Sequence, residues 1–237
     1  MRFLVKFKNV SRKSARVSID YRSRFISLLK RVFGEEPFRN DLPRPYTFAV
    51  FFGKSARIRN GFLEGVDTVN FRFSTGDPIV AVNFYNGLLA LKKRNYIHDV
   101  GTGRFRIEFI GTEREKVPTG LFRTLSPVIV ERMGFSDERN RYITPEEDGF
   151  TESLLENIVR KYRSITGKDL SLYEFNFKPV RIKIEPIRHY GGVLRGILGT
   201  FRIKTDSQEL LSFVYKYGLG LRTGQGFGYL EVEDGEA

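Results

Sequence analysis

Apolar and polar residues alternate along some segments of the chain and recur at helical spacing along others, and these patterns predict its elements. The first half follows the order strand, helix, strand, strand, helix, strand, over residues 2–8, 21–33, 46–52, 66–73, from 77 onwards, and 104–110. Asp20 is the expected cap of the first helix and Gly34 its end, while Asp77 before Pro78 starts the second. The buried face of the second helix is predicted to hold Val82, Tyr85 and Leu89.

The second half repeats this order after a charged linker at 113–118. Its elements are predicted over residues 121–130, 151–165, 173–184, 193–203, from 206 onwards, and 227–232. Gly191 and Gly192 are expected to form the turn between two of these strands. The order β-α-β-β-α-β is that of the ferredoxin-like unit. We therefore predict an α+β fold of two tandem ferredoxin-like (RRM-like) domains, residues 1–117 and 118–237, with their sheets facing a shared central cleft.

The positive charge of the chain is concentrated in its first half. Residues 1–118 hold 23 Lys and Arg against 11 Asp and Glu, whereas residues 119–237 hold 17 of each, so the first half carries the whole formal net charge of +12. Such a field attracts a polyanion and makes binding dependent on salt. A nucleic-acid partner is the favoured interpretation, and a solvated charged surface is the alternative.

Composition and pattern also exclude several kinds of site. The chain has no cysteine, so disulfides, thiolate metal sites and cysteine nucleophiles are excluded. Its two histidines, His98 and His189, lie far apart and outside any metal-binding motif, so we expect no metal. The opening residues alternate as a strand does, unlike a secretory signal, and no apolar run is long enough to cross a membrane. We expect a cytoplasmic protein.

Residues 218–228 read Gly-Leu-Gly-Leu-Arg-Thr-Gly-Gln-Gly-Phe-Gly and lie between a predicted helix and the last strand. Glycine permits positive φ and close approach of the backbone to a partner, and free N–H groups in such a loop can hold phosphate. Arg222 adds a charge at its tip. A tight structural connection is the alternative. The dinucleotide-binding fingerprint fits poorly, because that motif follows a strand and opens a helix.

This glycine-rich segment carries a resemblance to a known family. A helix, Gly218-Leu-Gly220, a basic stretch and Gly226-Phe-Gly228 before a final strand resemble the C-terminal loop of the Cas-six family of CRISPR endoribonucleases, which belong to the RAMP proteins. The opening Met1-Arg-Phe-Leu, the segment Thr124-Leu-Ser-Pro127 and the repeated element order are also similar. The resemblance covers nearly the whole chain. It implies binding of CRISPR repeat RNA and cofactor-free, metal-independent processing of precursor CRISPR RNA, in which the 2′-hydroxyl attacks its phosphate and leaves a 2′,3′-cyclic phosphate.

The chain departs from the family where the catalytic residues are expected. Many members place a histidine near the first helix, helped by tyrosine and lysine, but residues 21–60 contain no histidine. Phe38 or Arg39 falls near its position. By position, the resemblance implies Lys30, Arg44 and Tyr21 as catalytic residues, which act by electrostatic stabilisation of the transition state and give slow cleavage. For each of them the alternative is a solvated helix face or a simple phosphate contact.

The residues expected to bind RNA share a positive charge, a place in the glycine-rich loop or a place beside the predicted hairpin turn. They are Arg22, Arg31, Arg181, Lys183, Arg188, His189, Arg195, Gly218, Gly220, Arg222, Gly224, Gly226 and Gly228. For His189 the alternative is a solvated turn. His98 is expected in a loop between helix and strand, as a surface or turn histidine.

Three classes of function remain open at this point. The first is a metal-independent endoribonuclease, and the second is a non-cleaving repeat-RNA-binding subunit or paralogue of a CRISPR complex, with other subunits as partners. The third is an unrelated ferredoxin-like protein that acts on a small anion. Incubation with repeat RNA in EDTA separates them, because the first cleaves, the second only binds and the third does neither.

Overall fold

A computed structural model describes residues 1–35, 42–137 and 140–233 of the chain, so Phe38 and Arg39 lie outside the described residues. Up to residue 113 the elements, numbered in chain order, are β1 (Arg2–Asn9), β2 (Ala15–Ser18), α1 (Arg22–Phe33), β3 (Thr47–Phe51), β4 (Arg57–Arg59), β5 (Phe62–Val66), β6 (Thr68–Ser74), α2 (Pro78–Lys93), β7 (Ile97–Val100) and β8 (Gly103–Glu113). Beyond it they are β9 (Leu121–Thr124), β10 (Val130–Glu131), β11 (Tyr142–Ile143), α3 (Phe150–Thr166), β12 (Phe175–His189), β13 (Gly192–Thr205), α4 (Gln208–Tyr217) and β14 (Leu230–Val232).

The first half is built on a five-stranded antiparallel sheet of order β3-β6-β1-β8-β7. Apolar residues of its strands and of α1 and α2 form one core, rich in phenylalanine. A small sheet of order β2-β5-β4 lies beside it. Its β4–β5 hairpin turns at Asn60 and Gly61, with φ of 48° and 74°, a pair strongly favoured in two-residue hairpins. The sequence patterns did not predict this small sheet, although the sequence contains the turn signal Asn60-Gly61.

The second half has a separate core under a four-stranded antiparallel sheet of order β12-β13-β9-β14. The helices α3 and α4 contribute to that core, and β10 pairs with β11 beside it. The fold is therefore α+β with several antiparallel sheets, as the element order predicts. No strand or helix occupies residues 114–120, between β8 and β9.

Local signals locate several element ends correctly. The α1 helix covers 22–33 and ends at Gly34, and the Asp77 side chain accepts hydrogen bonds from the backbone N of Ile79 and Val80 at 2.8 and 3.1 Å. Asp20, however, is not the cap of α1. Tyr21 occupies that position, and the Asp20 carboxylate accepts instead from the backbone N of Gly191 at 3.2 Å.

The predicted face of α2 is wrong by one residue. Ala81, Phe84 and Leu88 are buried, whereas Val82 and Tyr85 are 54% and 38% exposed. The helix is apolar around most of its circumference, so two sets of residues have the same i, i+3, i+7 spacing. Packing against the sheet buries the set with Phe84, which has no polar atom to satisfy, and leaves Tyr85 with its hydroxyl on the exposed side.

Three other boundaries differ from the prediction. The strand β9 ends at Thr124, before Pro127, which lacks an N–H group. The strand β14 begins only at Leu230, because the preceding residues belong to the glycine-rich loop. The β12–β13 turn is formed by Tyr190 and Gly191, since His189 pairs with Gly192 across the hairpin.

His98 lies on β7 and is only 4% exposed, so the loop position predicted for it is wrong.

The two halves are joined through buried polar contacts. The guanidinium of Arg2 lies between the rings of Tyr215 and Tyr229, at 4.3 and 4.4 Å from their centroids. It donates to the carbonyl of Leu230 at 2.9 Å and pairs with Glu231 at 3.3 Å. These contacts fix the start of β1 against β14 and so fix the position of the loop that precedes β14.

Candidate functional site

The glycine-rich loop, residues 218–228, is held from both halves. Its Phe227 carbonyl accepts from Thr47 Oγ1 at 2.8 Å, and its Gly226 carbonyl accepts from Arg22 Nε at 3.2 Å. On the other side Leu221 N and Gly228 N each donate at 2.8 Å to carbonyls of residues 129 and 127. Much of the loop backbone is thus engaged within the fold, and the loop presents a defined surface to its neighbours.

That surface forms one wall of a cleft of about 740 Å³ between the two halves. The first half contributes side chains of α1 and of the segment before β3, and the second half contributes α3, the β10–β11 pair, the hairpin turn and the loop. Its lining residues include Lys30, Arg44, Glu131, Arg141, Arg160, Lys161, Tyr190, Gly220, Arg222, Thr223, Gly224 and Gln225.

The cleft is strongly cationic. Among the described residues that line it, six are Lys or Arg and one, Glu131, is acidic. Glu131 is already paired with Arg141 at 3.0 Å and Arg160 at 2.6 Å. Lys30 pairs with Glu35 at 3.0 Å across an exposed contact, which contributes little stability and can give way to a stronger anion. The cleft therefore suits an anionic ligand.

Lys161 secures the start of the loop from inside the cleft wall. Its Nζ donates to the carbonyls of Tyr217 and Gly218 at 2.7 and 2.8 Å, where α4 ends. Burial lowers the pKa of Lys161 well below its usual range. The two carbonyls at a helix C-terminus favour the charged form and oppose that effect.

The structure brings together some of the predicted catalytic residues. Lys30 and Arg44 both line the cleft, opposite the predicted loop residue Arg222. Tyr21 is not among the described residues that line it, since its ring packs edge-on against Phe52 with centroids 4.7 Å apart. The assignment of catalytic roles to these residues stays a prediction.

Gly224 and Gly228 of the loop are needed for different reasons, one for space and the other for backbone conformation. Gly228 has φ 71°, and a Cβ there would lie 2.0 Å from the Leu219 carbonyl oxygen. Gly224, unlike Gly226 and Gly228, does not have positive φ. A Cβ on Gly224 would instead meet Arg44 Cγ at 2.5 Å. The absent side chain of Gly224 leaves room for Arg44 at the cleft wall.

His189 connects the hairpin to the loop. It is 4% exposed, so the alternative of a solvated turn is wrong. Its Nε2 donates to Gln225 Oε1 at 2.8 Å, and Arg222 donates to the same oxygen at 3.4 Å and to Tyr142 Oη at 2.9 Å. Burial lowers the pKa of His189, and the nearby Arg22 and Arg222 lower it further against the Gln225 contact. The neutral ring therefore helps to orient Arg222.

The other predicted RNA-binding residues lie outside this cleft. Arg22 is buried against the loop, Arg31 is 5.5 Å from the Tyr96 ring, and Arg195 pairs with Glu147 at 2.7 Å. Arg188 is exposed beside the hairpin turn, whereas Arg181 and Lys183 are exposed along β12. Arg181 shares a sheet face with Arg123, because each is paired with Thr200.

Arg123 belongs to a second groove, of about 410 Å³, where the open faces of the two sheets meet. Across the first sheet one row of paired residues reads Phe51, Asn70, Lys6 and Phe109. The two phenylalanines are 38% and 46% exposed, and Lys6 Nζ lies 5.5 Å from the Phe109 ring. This row lies on the open face of the first sheet, and the prediction that the two sheets face one shared cleft stays a prediction.

Sequence reasoning missed several residues of the first cleft. Glu131, Arg141, Arg160 and Lys161 carry no local motif, and only the packing of the β10–β11 pair and of α3 beside the loop brings them to the wall. Tyr190 was missed because the Gly191-Gly192 pair is the stronger turn signal and assigns Tyr190 to the end of the preceding strand. Within residues 1–35, 42–137 and 140–233, no three or more His, Cys, Asp or Glu side chains cluster as a metal would require. No helix in those ranges is both long and apolar enough to span a membrane.

Comparison with known proteins assigns the family. Residues 112–232, just over half of the chain, match the C-terminal region of CRISPR associated protein Cas6. The chain belongs to the Cas6 family, the family that its glycine-rich loop resembles. Over 205 residues it is 27% identical to the CRISPR-associated endoribonuclease Cas6 of Pyrococcus furiosus, a match that covers 81% of this chain and 71% of that one.

Other relatives match over a shorter stretch. The chain is 29% identical over 119 residues to the CRISPR-associated endoribonuclease-like protein Cas6nc of Pyrococcus horikoshii, 47% of each chain. It thus spans about half the length of this relative and of a similar one from Pyrococcus furiosus.

Solved structures agree in fold. A Cas6-related protein of Pyrococcus furiosus superposes with a TM-score of 0.85 at 19% identity, over 100% of this chain and 99% of that one. A RAMP protein described as binding different RNA substrates gives a TM-score of 0.83 at 22% identity, over 99% and 100%. At these identities the similarity establishes the fold.

Proposed function

We propose that this protein binds CRISPR repeat RNA and cleaves precursor CRISPR RNA in the cationic cleft without a metal ion. The observation that carries the proposal is the cleft itself, where six Lys and Arg side chains face one paired carboxylate among the described lining residues. Family membership supports repeat RNA as the polyanion, and the excess charge of residues 1–118 favours its capture.

The proposal includes two ferredoxin-like domains, residues 1–117 and 118–237. The four strands of the β-α-β-β-α-β unit lie in the order second, third, first, fourth in both halves, as β3-β6-β1-β8 and β12-β13-β9-β14. Each half has its own main core. This division supports a site assembled where two RNA-binding units meet.

The proposed reaction is an attack of the 2′-hydroxyl oxygen on the adjacent phosphorus. The new O–P bond forms as the bond to the 5′-oxygen breaks, which leaves a 2′,3′-cyclic phosphate and a 5′-hydroxyl. The 2′-hydroxyl proton passes to water, and the leaving oxygen gains a proton from water. Lys30 and Arg44 stabilise the charge of the phosphorane. The nucleophile is already beside its phosphate, so positioning supplies much of the acceleration.

The RNA extends beyond the cleft in this proposal. The second groove offers Lys6, Arg72 and Arg123 for phosphates and the exposed ring of Phe51 for a base. Arg181 and Lys183 continue the same sheet face. Flat sheets with exposed aromatic residues and cations suit unpaired RNA, because bases stack on the rings while phosphates meet the charges.

The proposal is tested with repeat RNA of the source organism in buffer containing EDTA. We expect tight, salt-dependent binding and slow cleavage at one site, with a 2′,3′-cyclic phosphate end detected by resistance to periodate and by mass spectrometry. A 2′-deoxy substitution at the cut site should abolish cleavage and keep binding. Cleavage that requires Mg²⁺ would contradict the mechanism.

Alanine variants test the proposed catalytic roles of Lys30 and Arg44. Lys30→Ala and Arg44→Ala should each slow single-turnover cleavage about 10- to 100-fold while most binding remains, since each removes a charge that acts mainly in the transition state. Lys93→Ala is the matched control, because Lys93 is exposed in the last turn of α2 and is not among the cleft-lining residues. Equal rates for all three variants would remove Lys30 and Arg44 from the site.

A second candidate function is a repeat-RNA-binding protein that does not cleave and serves as a subunit of a CRISPR complex. One observation favours it: both histidines of the chain are buried, and neither is among the described residues that line the cleft. Tight binding with no product over hours would establish this alternative.

A further inference from the structure

Tyr190 has an unusual backbone for its side chain. Four non-glycine residues in the described part of the chain have positive φ, and two of them are asparagines, which tolerate it. The other two are Tyr190, with φ 50°, and Arg222, with φ 55°. Both line the cationic cleft. Strained residues of this kind concentrate at functional sites, because the surrounding fold has to hold them there.

The hairpin turn explains the strain but not the tyrosine. Tyr190 and Gly191 form a two-residue turn with φ of 50° and 77°, as a type I′ turn requires at both positions. Asparagine or glycine at the first position would satisfy this geometry better, as Asn60 does in the β4–β5 turn. The tyrosine side chain therefore costs stability in the turn, and nothing within the turn requires it.

Contacts on both sides hold the turn rigid while the tyrosine stays accessible. Gly191 N donates to Asp20 Oδ2 at 3.2 Å, and the buried His189 donates to Gln225 in the loop. The rings of His189 and Tyr190 lie with centroids 4.5 Å apart. Tyr190 itself is 61% exposed. A rigid, exposed ring at the edge of a cationic cleft presents a flat surface at low entropic cost.

We infer that Tyr190 stacks on an unpaired nucleobase of the RNA whose phosphate lies against the cations of the cleft. A planar ring in the lining of the cleft that Arg222 and Arg44 also line matches a ligand that joins an aromatic base to a phosphate, which is a nucleotide unit. An acidic peptide would use the cations and leave the ring uncovered. This inference rests on the proposed function and adds a contact that positions one base beside the site of cleavage.

The test combines three variants with an abasic scan of the repeat RNA. Tyr190→Gly should weaken RNA binding about 5- to 150-fold, the range of one aromatic–base stack. Its melting temperature should be no lower than that of the unchanged protein, because glycine adopts positive φ without strain. Tyr190→Asn should behave like Tyr190→Gly, and Tyr190→Phe should bind normally, since the ring carries the contact.

The scan locates the base. One abasic position should weaken binding to the unchanged protein by the same factor and have no further effect on Tyr190→Gly, because the stack is already lost. Additive losses at every position, or full affinity of Tyr190→Gly for intact RNA, would overturn the inference and leave the proposed function standing. Failure of the unchanged protein to bind repeat RNA would overturn both. Binding of free AMP that depends on Tyr190, with no sensitive position in the RNA, would assign the ring to a mononucleotide instead.

Discussion

His98 shows at the scale of one residue how burial controls protonation. Its ring packs against Phe7 and Phe25, with centroids 6.2 and 5.6 Å away, and its Nδ1 is hydrogen-bonded to Tyr96 Oη at 3.2 Å. Burial lowers the pKa of His98 from 6.5 to about 4, and Arg31 and Arg24 act in the same direction against Asp99. The histidine is therefore neutral in the folded protein at pH 7.

This shift predicts a dependence of stability on pH. The pKa of His98 is lower in the folded than in the unfolded chain, so the unfolded chain binds a proton first as the pH falls. The contribution of His98 to stability is therefore complete above pH 6.5 and is lost as the pH falls to about 4. The loss should approach about 3 kcal/mol. His98→Phe should remove this part of the dependence, measured as the free energy of unfolding in urea between pH 7 and 4. An NMR titration in which His98 shows a pKa near 6.5 would contradict the prediction.

The glycine-rich loop is the element on which the cleft depends. Thr47, Arg22 and Lys161 each donate hydrogen bonds to its carbonyls, and these donors come from both halves. Gly228 closes the loop, with its backbone N bonded to Pro127 O at 2.8 Å. A side chain at Gly228 would meet two obstacles, the positive φ and the close approach of the Leu219 carbonyl oxygen. A control variant therefore has to separate the two effects.

Gly228→Ala and Gly167→Ala form a matched pair. Gly167, at the end of α3, has φ 70°, and a Cβ there would meet no atom within 4 Å, whereas Gly228 has φ 71° and its Cβ would lie 2.0 Å from the Leu219 oxygen. Gly167→Ala should cost about 1 kcal/mol, or about 2–4 °C in melting temperature. Gly228→Ala should lower the melting temperature at least about three times as much, because the backbone must also move. Equal shifts by calorimetry would show that the close approach is unimportant.

At the scale of the whole molecule, Arg2 links the two halves. Its guanidinium is enclosed by two tyrosine rings and bonded to the carbonyl of Leu230 and to Glu231. Glu231 is also paired with Arg72 at 3.3 Å, so a second cation supports the same contact. The cleft and the sheet groove both lie between the halves, so the geometry of the proposed RNA-binding surface depends on this junction.

Arg2→Ala should therefore destabilise the protein by about 3 kcal/mol, as removal of one member of a buried pair usually does. The loss of stability in Arg2→Lys should be smaller than in Arg2→Ala, because lysine keeps the charge but loses the planar fork and much of the stacking. Unfolding in urea, followed by circular dichroism, measures both, with the exposed Arg12→Ala as control. Equal stability of Arg2→Ala and Arg12→Ala would show that Arg2 does not stabilise the junction.

The sequence by itself determined the features that depend on neighbouring residues. The end of α1 at Gly34, the start of α2 at Asp77 and the order of the main elements follow from caps, prolines and hydrophobic spacing. The glycine-rich segment was recognisable as a loop between a helix and a strand for the same reason, and it also indicated the family. These signals are local, because each depends on a few residues and their hydrogen bonds.

Only the tertiary structure decided which residues meet. Which face of α2 is buried depends on packing against the sheet, since its sequence is apolar around most of the helix. The burial of His98 depends on strand β7 joining β8, and Tyr190 reaches the cleft only because Asp20 and Gln225 hold the hairpin. Lys30, Arg44, Arg160 and Arg222 share one cleft although they are far apart in the chain. Such long-range contacts leave no local pattern, because they are set by how whole elements pack.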